Sequence, residues 1–308
     1  MSNFRIITGE SALAHSVRGR LTVVYGVPGA GKTTLGITAT ETGKTLFIDT
    51  ENSIGKVFEG VAPKHKNLKN LASVNVNTVS EAVDFLDEIE NELDDFSTIV
   101  FDSATHLVEE EMRRLRTSKV KLAQSDWGDV GNKFKELLAM LQSRGINVII
   151  TVHEEETADD SGVMQHRPKT EGKMAAAALV LRADNLLFIE TNTDGERLLH
   201  TQPSPRFYAK SRDPLQTSYV GDDVNYATLS ADFAKARVVF ASAANEKELE
   251  ALMKEAKVSD VEKFKDAISW TAKGKLNFLD FEEGVSLMKN QIQSNNTPKD
   301  DVTSNPDS

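Results

Sequence analysis

Gly26-Val27-Pro28-Gly29-Ala30-Gly31-Lys32-Thr33 follows directly on the apolar run Leu21-Thr22-Val23-Val24-Tyr25 and leads into Thr34-Leu35-Gly36-Ile37. The octet satisfies G-x-x-x-x-G-K-T, the phosphate-binding loop pattern, and its context predicts a buried strand, a tight turn and a helix start. In that setting the backbone N–H groups of the turn and the positive end of the helix dipole face one point, where a triphosphate can sit. Gly26, Gly29 and Gly31 permit the curvature and close approach that a side chain would block. Lys32 is expected to reach the β- and γ-phosphates, and the Thr33 hydroxyl to ligate Mg²⁺. Gly26 through Thr34 therefore read as the binding segment for a nucleoside triphosphate.

The 308 residues suggest about two domains. Hydrophobic residues make up 39% and charged residues 27%, enough for a substantial core and too apolar for a disordered polymer. There is no cysteine, so disulfides and thiolate metal sites are excluded, in keeping with a reducing, cytoplasmic setting. The N-terminal residues lack the apolar core of a signal peptide, and no run approaches the roughly 18 apolar residues of a membrane span. A net charge of −11 argues against a uniformly basic nucleic-acid binder but leaves room for a local basic groove.

Apolar runs alternate with helix-like stretches from about residue 20 to 190, the pattern of βα units around a mostly parallel sheet, hence an α/β fold. Strands are expected at Leu21–Tyr25, Thr45–Asp49, Thr98–Asp102, Asn147–Val152 and Asn185–Glu190. Helices are expected over Thr33–Glu41, Ser80–Leu93 (with Ser80 as N-cap), part of Ala104–Arg116, and Gly131–Ser143. Asn192-Thr193-Asp194-Gly195 reads as a hairpin turn leading to Arg197–Thr201, and Arg206–Lys210 as a further strand. The organisation is a core over 1–240, a small helical region over 241–290 and a disordered tail over 291–308. The helical region carries Leu249, Leu252, Met253 and Ala256 at amphipathic spacing. It serves either as a cover for the core or as a docking site for a replication or single-strand-binding protein. Phe4-Arg5-Ile6-Ile7 is a weak candidate for an edge strand.

A phosphate-binding loop needs a second acidic residue for the metal's shell, and Thr98-Ile99-Val100-Phe101-Asp102 supplies Asp102 at a strand end. The strand Lys44-Thr45-Leu46-Phe47-Ile48-Asp49 continues into Thr50-Glu51. Strand geometry would place Asp49 and Glu51 on one side at the ligand-binding edge. Glu51 reads either as the base that prepares the attacking water or as a solvated loop glutamate.

Gly26–Thr33, Phe47–Glu51, Ile99–Ser103 and Val148–His153, in this order, resemble the core motifs of the RecA-like recombinase ATPases. The resemblance is strongest to the short bacteriophage RecA-core proteins of single-strand annealing and recombination, and it covers about residues 18–215. It implies that Glu51 is the catalytic glutamate and Asp102 the metal-site aspartate. His153 falls where RecA has a glutamine that senses the γ-phosphate, a departure from the pattern. It implies two DNA loops: one with Arg114, Arg116, Lys119, Lys121 and Trp127, and one running from Glu154 to Lys173 without periodicity, with Arg167, Lys169 and Lys173. Cations with a stacking aromatic suit sequence-tolerant binding of single-stranded DNA. The arginine run equally suits a solvated helix face, and Trp127 a core position. Phe207-Tyr208-Ala209-Lys210-Ser211-Arg212 matches the K-x-K or K-x-R of RecA and related hexameric motors. There the cations reach a neighbour's γ-phosphate, so Lys210 and Arg212 imply a homo-oligomer, ring or filament. Otherwise they are two surface cations.

The expectation is an ATP- and Mg²⁺-dependent RecA-fold protein that assembles on single-stranded DNA. A helicase-like ring motor is the first rival, marked by directional unwinding. A small-molecule kinase would transfer phosphate to an added metabolite, and a nucleotide-gated scaffold would show no turnover dependent on Glu51.

Overall fold

The computed structural model describes residues 19–236, except 120 and 159–161. The chain divides into a unit of Arg18–Lys235 and a second of Met1–Val17 with Ala236–Ser308. Only the first is described below. The helical region, the tail and the Phe4–Ile7 strand expected from the sequence lie outside the described residues.

The apolar runs become strands because they can bury both faces. β1 (Leu21–Gly26), β2 (Thr45–Asp49), β4 (Thr98–Asp102), β5 (Asn147–Ala158) and β7 (Asn185–Thr191) lie parallel. β3 (Leu71–Asn75), a half-polar segment with no apolar run to announce it, pairs parallel with β2 at the sheet edge. β6 (Met164–Lys169), β8 (Arg197–His200), β9 (Lys210–Ser211) and β10 (Ser218–Val220) add antiparallel neighbours. The sheet order is β10-β8-β7-β1-β5-β4-β2-β3. β1 stands where the order reverses direction, and in open α/β sheets ligands bind at the carboxyl ends of strands beside such a point.

Helices cover both faces: α1 (Lys32–Thr38), α2 (Ile54–Gly60), α3 (Val79–Glu88), α4 (Ala104–Ser118), α5 (Gln124–Ser143), α6 (Lys173–Arg182) and α7 (Tyr226–Ala236). Alternation along the strands sorts the core. Val23 and Tyr25 join Ile48, Phe101 and Ile150 beneath α3, α4, α5 and α6. Val24 turns the other way, with Phe47, Val100, Ile149 and Leu187, against Leu35 and Ile37 of α1 and Tyr226, Leu229 and Phe233 of α7.

Several expected boundaries move. Thr78, not Ser80, caps α3 by accepting Glu81 N–H at 3.1 Å, and the helix ends at Glu88. Ser80 instead bonds Glu111, its N–H at 2.9 Å and its hydroxyl at 2.8 Å. α5 begins at Gln124, so Trp127 lies in its first turn rather than in a loop. The segment after His153 is not structureless. β5 continues to Ala158 and pairs with β6, setting Glu155 opposite Arg167 and Glu156 opposite His166. This is a polar pairing of charged and hydrogen-bonding side chains, which hydrophobic periodicity cannot reveal. Arg206–Phe207 forms a turn bonded to Ser204, and only Lys210–Ser211 becomes strand. Among the described residues no helix is long and apolar enough to cross a membrane.

Candidate functional site

Strand register brings the site together. Gly26 lies opposite His153, and Asp49 opposite Asp102, so the carboxyl ends of β1, β5, β4 and β2 form one edge. The loop after β1 turns through Gly29 at φ +84° and Gly31 at φ +102°, a region that favours glycine. Gly26 has a different reason: a Cβ there would stand 2.1 Å from the Ile189 carbonyl oxygen. Gly31 occupies the N-cap of α1 without a side-chain cap, so the first N–H groups of the helix are left to a ligand. Ala30 is buried, its N–H closing a turn on Val27 O at 3.2 Å, while Val27 and Pro28 are exposed at the loop's tip.

Lys32 folds back over this loop and donates to the carbonyls of Gly26 at 2.8 Å and Val27 at 2.9 Å. Burial pushes its ammonium below the ordinary lysine range, and the nearby Asp102 and Glu51 oppose that shift. Asp102 is 2% exposed. Thr33 Oγ1 donates to its Oδ2 at 2.7 Å, and Thr151 Oγ1 donates to its Oδ1. Burial raises the Asp102 carboxyl, and these two hydroxyls lower it. A buried carboxylate joined to the threonine of the phosphate loop fits a divalent cation, which supplies the charge that burial disfavours. Among the described residues no group of three or more His, Asp or Glu is arranged to hold a metal by itself. Phosphate oxygens and water would complete the shell, as hard Mg²⁺ prefers.

Glu51 sits on the far side of Asp102. Ser103 Oγ donates to its Oε1 at 2.5 Å, and His153 Nε2 lies 3.4 Å from the same atom. Oε2 makes no hydrogen bond among the described residues. The approach of His153, with the Ser103 hydroxyl and against the effect of burial, holds the carboxyl at about 2 rather than an ordinary 4.5. His153 is itself anchored: its N–H donates to Thr105 Oγ1 at 2.9 Å, and that hydroxyl donates to Lys169 O at 2.8 Å. Glu51, Thr105, His153 and Lys169 line an open polar cleft of about 500 Å³.

Asp49 departs from the expected placement beside Glu51. Its buried carboxylate accepts the N–H groups of Glu51 and Ser53 at 3.2 Å each and of Ile54 at 3.0 Å. The chain turns at Asn52, φ +55°, so strand alternation stops at Asp49, and this residue holds the start of α2.

The depressed Glu51 carboxyl carries a stability consequence. A group lowered by folding contributes above its unfolded value, and that contribution disappears as pH falls from 4.5 towards about 2. Wild-type protein should lose more stability than Glu51→Gln across that window in urea titrations. Parallel losses would show that the His153 and Ser103 contacts contribute nothing to folding.

The expected DNA-contact residues scatter. Arg116 pairs with Glu171 and lies 5.7 Å from the Trp127 ring, which is 36% exposed. Lys119 pairs with Asp126 at 2.5 Å, and Lys169 with Glu109 at 3.9 Å. Arg167 lies 4.6 Å over the Tyr208 ring. Arg114, Lys121 and Lys173 are exposed and form no ion pair among the described residues. Tyr25 ties the hairpin to the phosphate-loop strand, its hydroxyl donating to Tyr208 O at 2.5 Å and lying 3.1 Å from His166 O.

Lys210 and Arg212 are not brought to this site. β9 pairs with the amino end of β7, Lys210 opposite Leu186, at the other end of the sheet from Gly26. Lys210 Nζ donates to Leu181 O at 3.3 Å, in the last turn of α6, and Arg212 pairs at 2.9 Å with Asp184, in the turn between α6 and β7. The two cations do share one side, as alternation implies, and it faces away from their own phosphate loop.

Sequence reasoning passed over the hydroxyls. Thr50 donates through N–H and Oγ1 to the Asp102 carbonyl at 2.8 and 3.0 Å, and Ser103 and Thr151 hold the two carboxylates. Nothing in their spacing marks them, since their partners lie about fifty residues away.

Residues 18–213 match the family described as an AAA domain. The chain is also similar to the DNA repair and recombination protein RadB of Methanocaldococcus jannaschii, 30% identical over 167 residues, which cover 49% of this chain and 73% of RadB. With the phosphate loop, the buried aspartate and the parallel sheet already in place, these matches show that the chain belongs to the AAA-domain family and is a P-loop ATPase with a RecA-like core.

Proposed function

We propose that this chain is an ATP- and Mg²⁺-dependent enzyme that assembles on single-stranded DNA in recombination or strand annealing and hydrolyses ATP at subunit interfaces. The observation that carries this reading is the contact between Glu51 and His153, 3.4 Å apart. It links the residue suited to activating water with the first residue of the β5–β6 hairpin, where the second DNA loop is expected. The similarity to RadB, a protein named for DNA repair and recombination, supports the same reading.

Lys32 and the loop N–H groups bind the phosphates. Thr33 and Asp102 would hold Mg²⁺, which neutralises charge on the β- and γ-phosphate oxygens when bound. Glu51, kept ionised, accepts a proton from the attacking water at Oε2, the oxygen without a protein hydrogen bond. A phosphate near His153 competes with Glu51 for the imidazole, so nucleotide state is transmitted into the hairpin. Arg114, Lys121 and Lys173, without carboxylate partners, and Arg116 with Trp127 supply phosphate contacts and a stacking surface.

Hydrolysis measured with and without an oligonucleotide tests the proposal. Single-stranded DNA is expected to stimulate turnover more than duplex, with complexes that need ATP and Mg²⁺ and weaken with salt. A rate indifferent to DNA, with no ATP-dependent complex at low salt, would overturn it.

A further inference from the structure

Arg197, the first residue of β8, lies against the phosphate loop although it belongs to no loop motif. A Cβ on Gly31 would stand 2.7 Å from Arg197 Nε and 2.8 Å from its Cδ, so the arginine stem occupies the space a side chain at 31 would need. Arg197 is half-buried and forms no hydrogen bond or close ion pair among the described residues, although its charge helps lower the Asp222 carboxyl. Most other partly buried cations here have a carboxylate or carbonyl partner, because an unpaired one is costly.

Arg197 also forms one wall of a cleft of about 180 Å³ that starts beside α1 at Thr34 and Thr38 and reaches His65 and Asp222. His65 turns Nδ1 to Glu41 at 3.3 Å, while its Nε2 is buried without a hydrogen-bond partner. Lys64 and Asp222, both exposed, pair at 2.6 Å and link the segment after α2 to the one after β10. The cleft thus begins at the residue after the metal-site threonine and presents a planar cation, with the Asp222 carboxylate near enough to feel its charge.

We propose that this cleft takes the nucleoside of the triphosphate and that Arg197 positions it by laying its guanidinium plane on the base. The assignment rests on the nucleotide-binding reading of the phosphate loop. A planar cation is attracted to an aromatic face, and the larger face of a purine is favoured over a pyrimidine.

Binding of ATP, CTP and inorganic tripolyphosphate is measured by calorimetry on the full chain, for wild type, Arg197→Ala and Arg197→Lys. Arg197→Ala is expected to weaken ATP about 3- to 30-fold, the worth of a stacked cation, and to narrow the preference for ATP over CTP. Tripolyphosphate, which has no nucleoside, is expected to bind unchanged. Arg197→Lys restores little, because an ammonium lacks the plane. Equal weakening of ATP and tripolyphosphate would place Arg197 on the phosphates and overturn the assignment, as would unchanged ATP affinity. Should Arg197→Ala fail to fold by circular dichroism, the same comparison is made on Arg197→Gln. Wild type that binds neither ligand would instead refute the phosphate-loop reading itself, an outcome distinct from failure at Arg197.

Discussion

Replacing Lys210 and Arg212 together by alanine is expected to lower kcat by about 10³–10⁵-fold while each protomer still binds ATP. The size follows from what a cation does at the γ-phosphate: it neutralises charge that grows in the transition state. Both side chains reach the carboxyl end of α6 and the turn that follows it, at the end of the sheet away from Gly26, so neither serves its own nucleotide. Any phosphate they act on must therefore belong to a neighbour; otherwise they are two surface cations. Their present partners are easily exchanged. The Arg212 side chain is 64% exposed in its pair with Asp184, and such surface pairs contribute at most about 1 kcal/mol. Leu181, whose carbonyl accepts Lys210, is 73% exposed, so an apolar contact is available beside the cations.

Mixing separates action between subunits from simple damage. Lys32→Ala lacks a working phosphate loop but keeps both cations; the double variant has the reverse defect. Neither should turn over alone, and the mixture should recover activity at joints where the first faces the second. Specific activity of wild type should also rise with protein concentration. Full activity from dilute, monomeric wild type would sink the proposal of a shared site.

Glu51→Gln is expected to reduce kcat by about 10²–10⁴-fold, with ATP affinity retained. The amide keeps the shape and can still accept the Ser103 hydroxyl, but it cannot take a proton from water. Ser103 and His153 both meet Oε1, so the loss reports the chemistry of Oε2 and not a collapsed site. Single-turnover measurements that show unchanged hydrolysis in Glu51→Gln would place the base elsewhere.

The phosphate loop, the strand ending in Asp102, and Glu51 two residues beyond β2 were legible in the chain because each is a local pattern. Apolar runs make buried strands, glycines allow positive φ, and side chains projecting from strand ends meet at a common edge. Asp49 shows where that logic stops: alternation holds only while the strand lasts, and the turn at Asn52 converts one of two similar carboxylates into a holder of backbone N–H groups. The β5–β6 hairpin was hidden because its paired segments are polar and exposed and carry no apolar period.

The sequence by itself marked the phosphate loop, since Gly26–Thr33 is a pattern of consecutive residues. The tertiary structure alone decided which hydroxyl holds which carboxylate, that His153 touches Glu51, that Lys210 and Arg212 face away from their own loop, and that Arg197 leans on Gly31. The reason is physical: these contacts join residues far apart in the chain, and only the strand order and register set the distances between them.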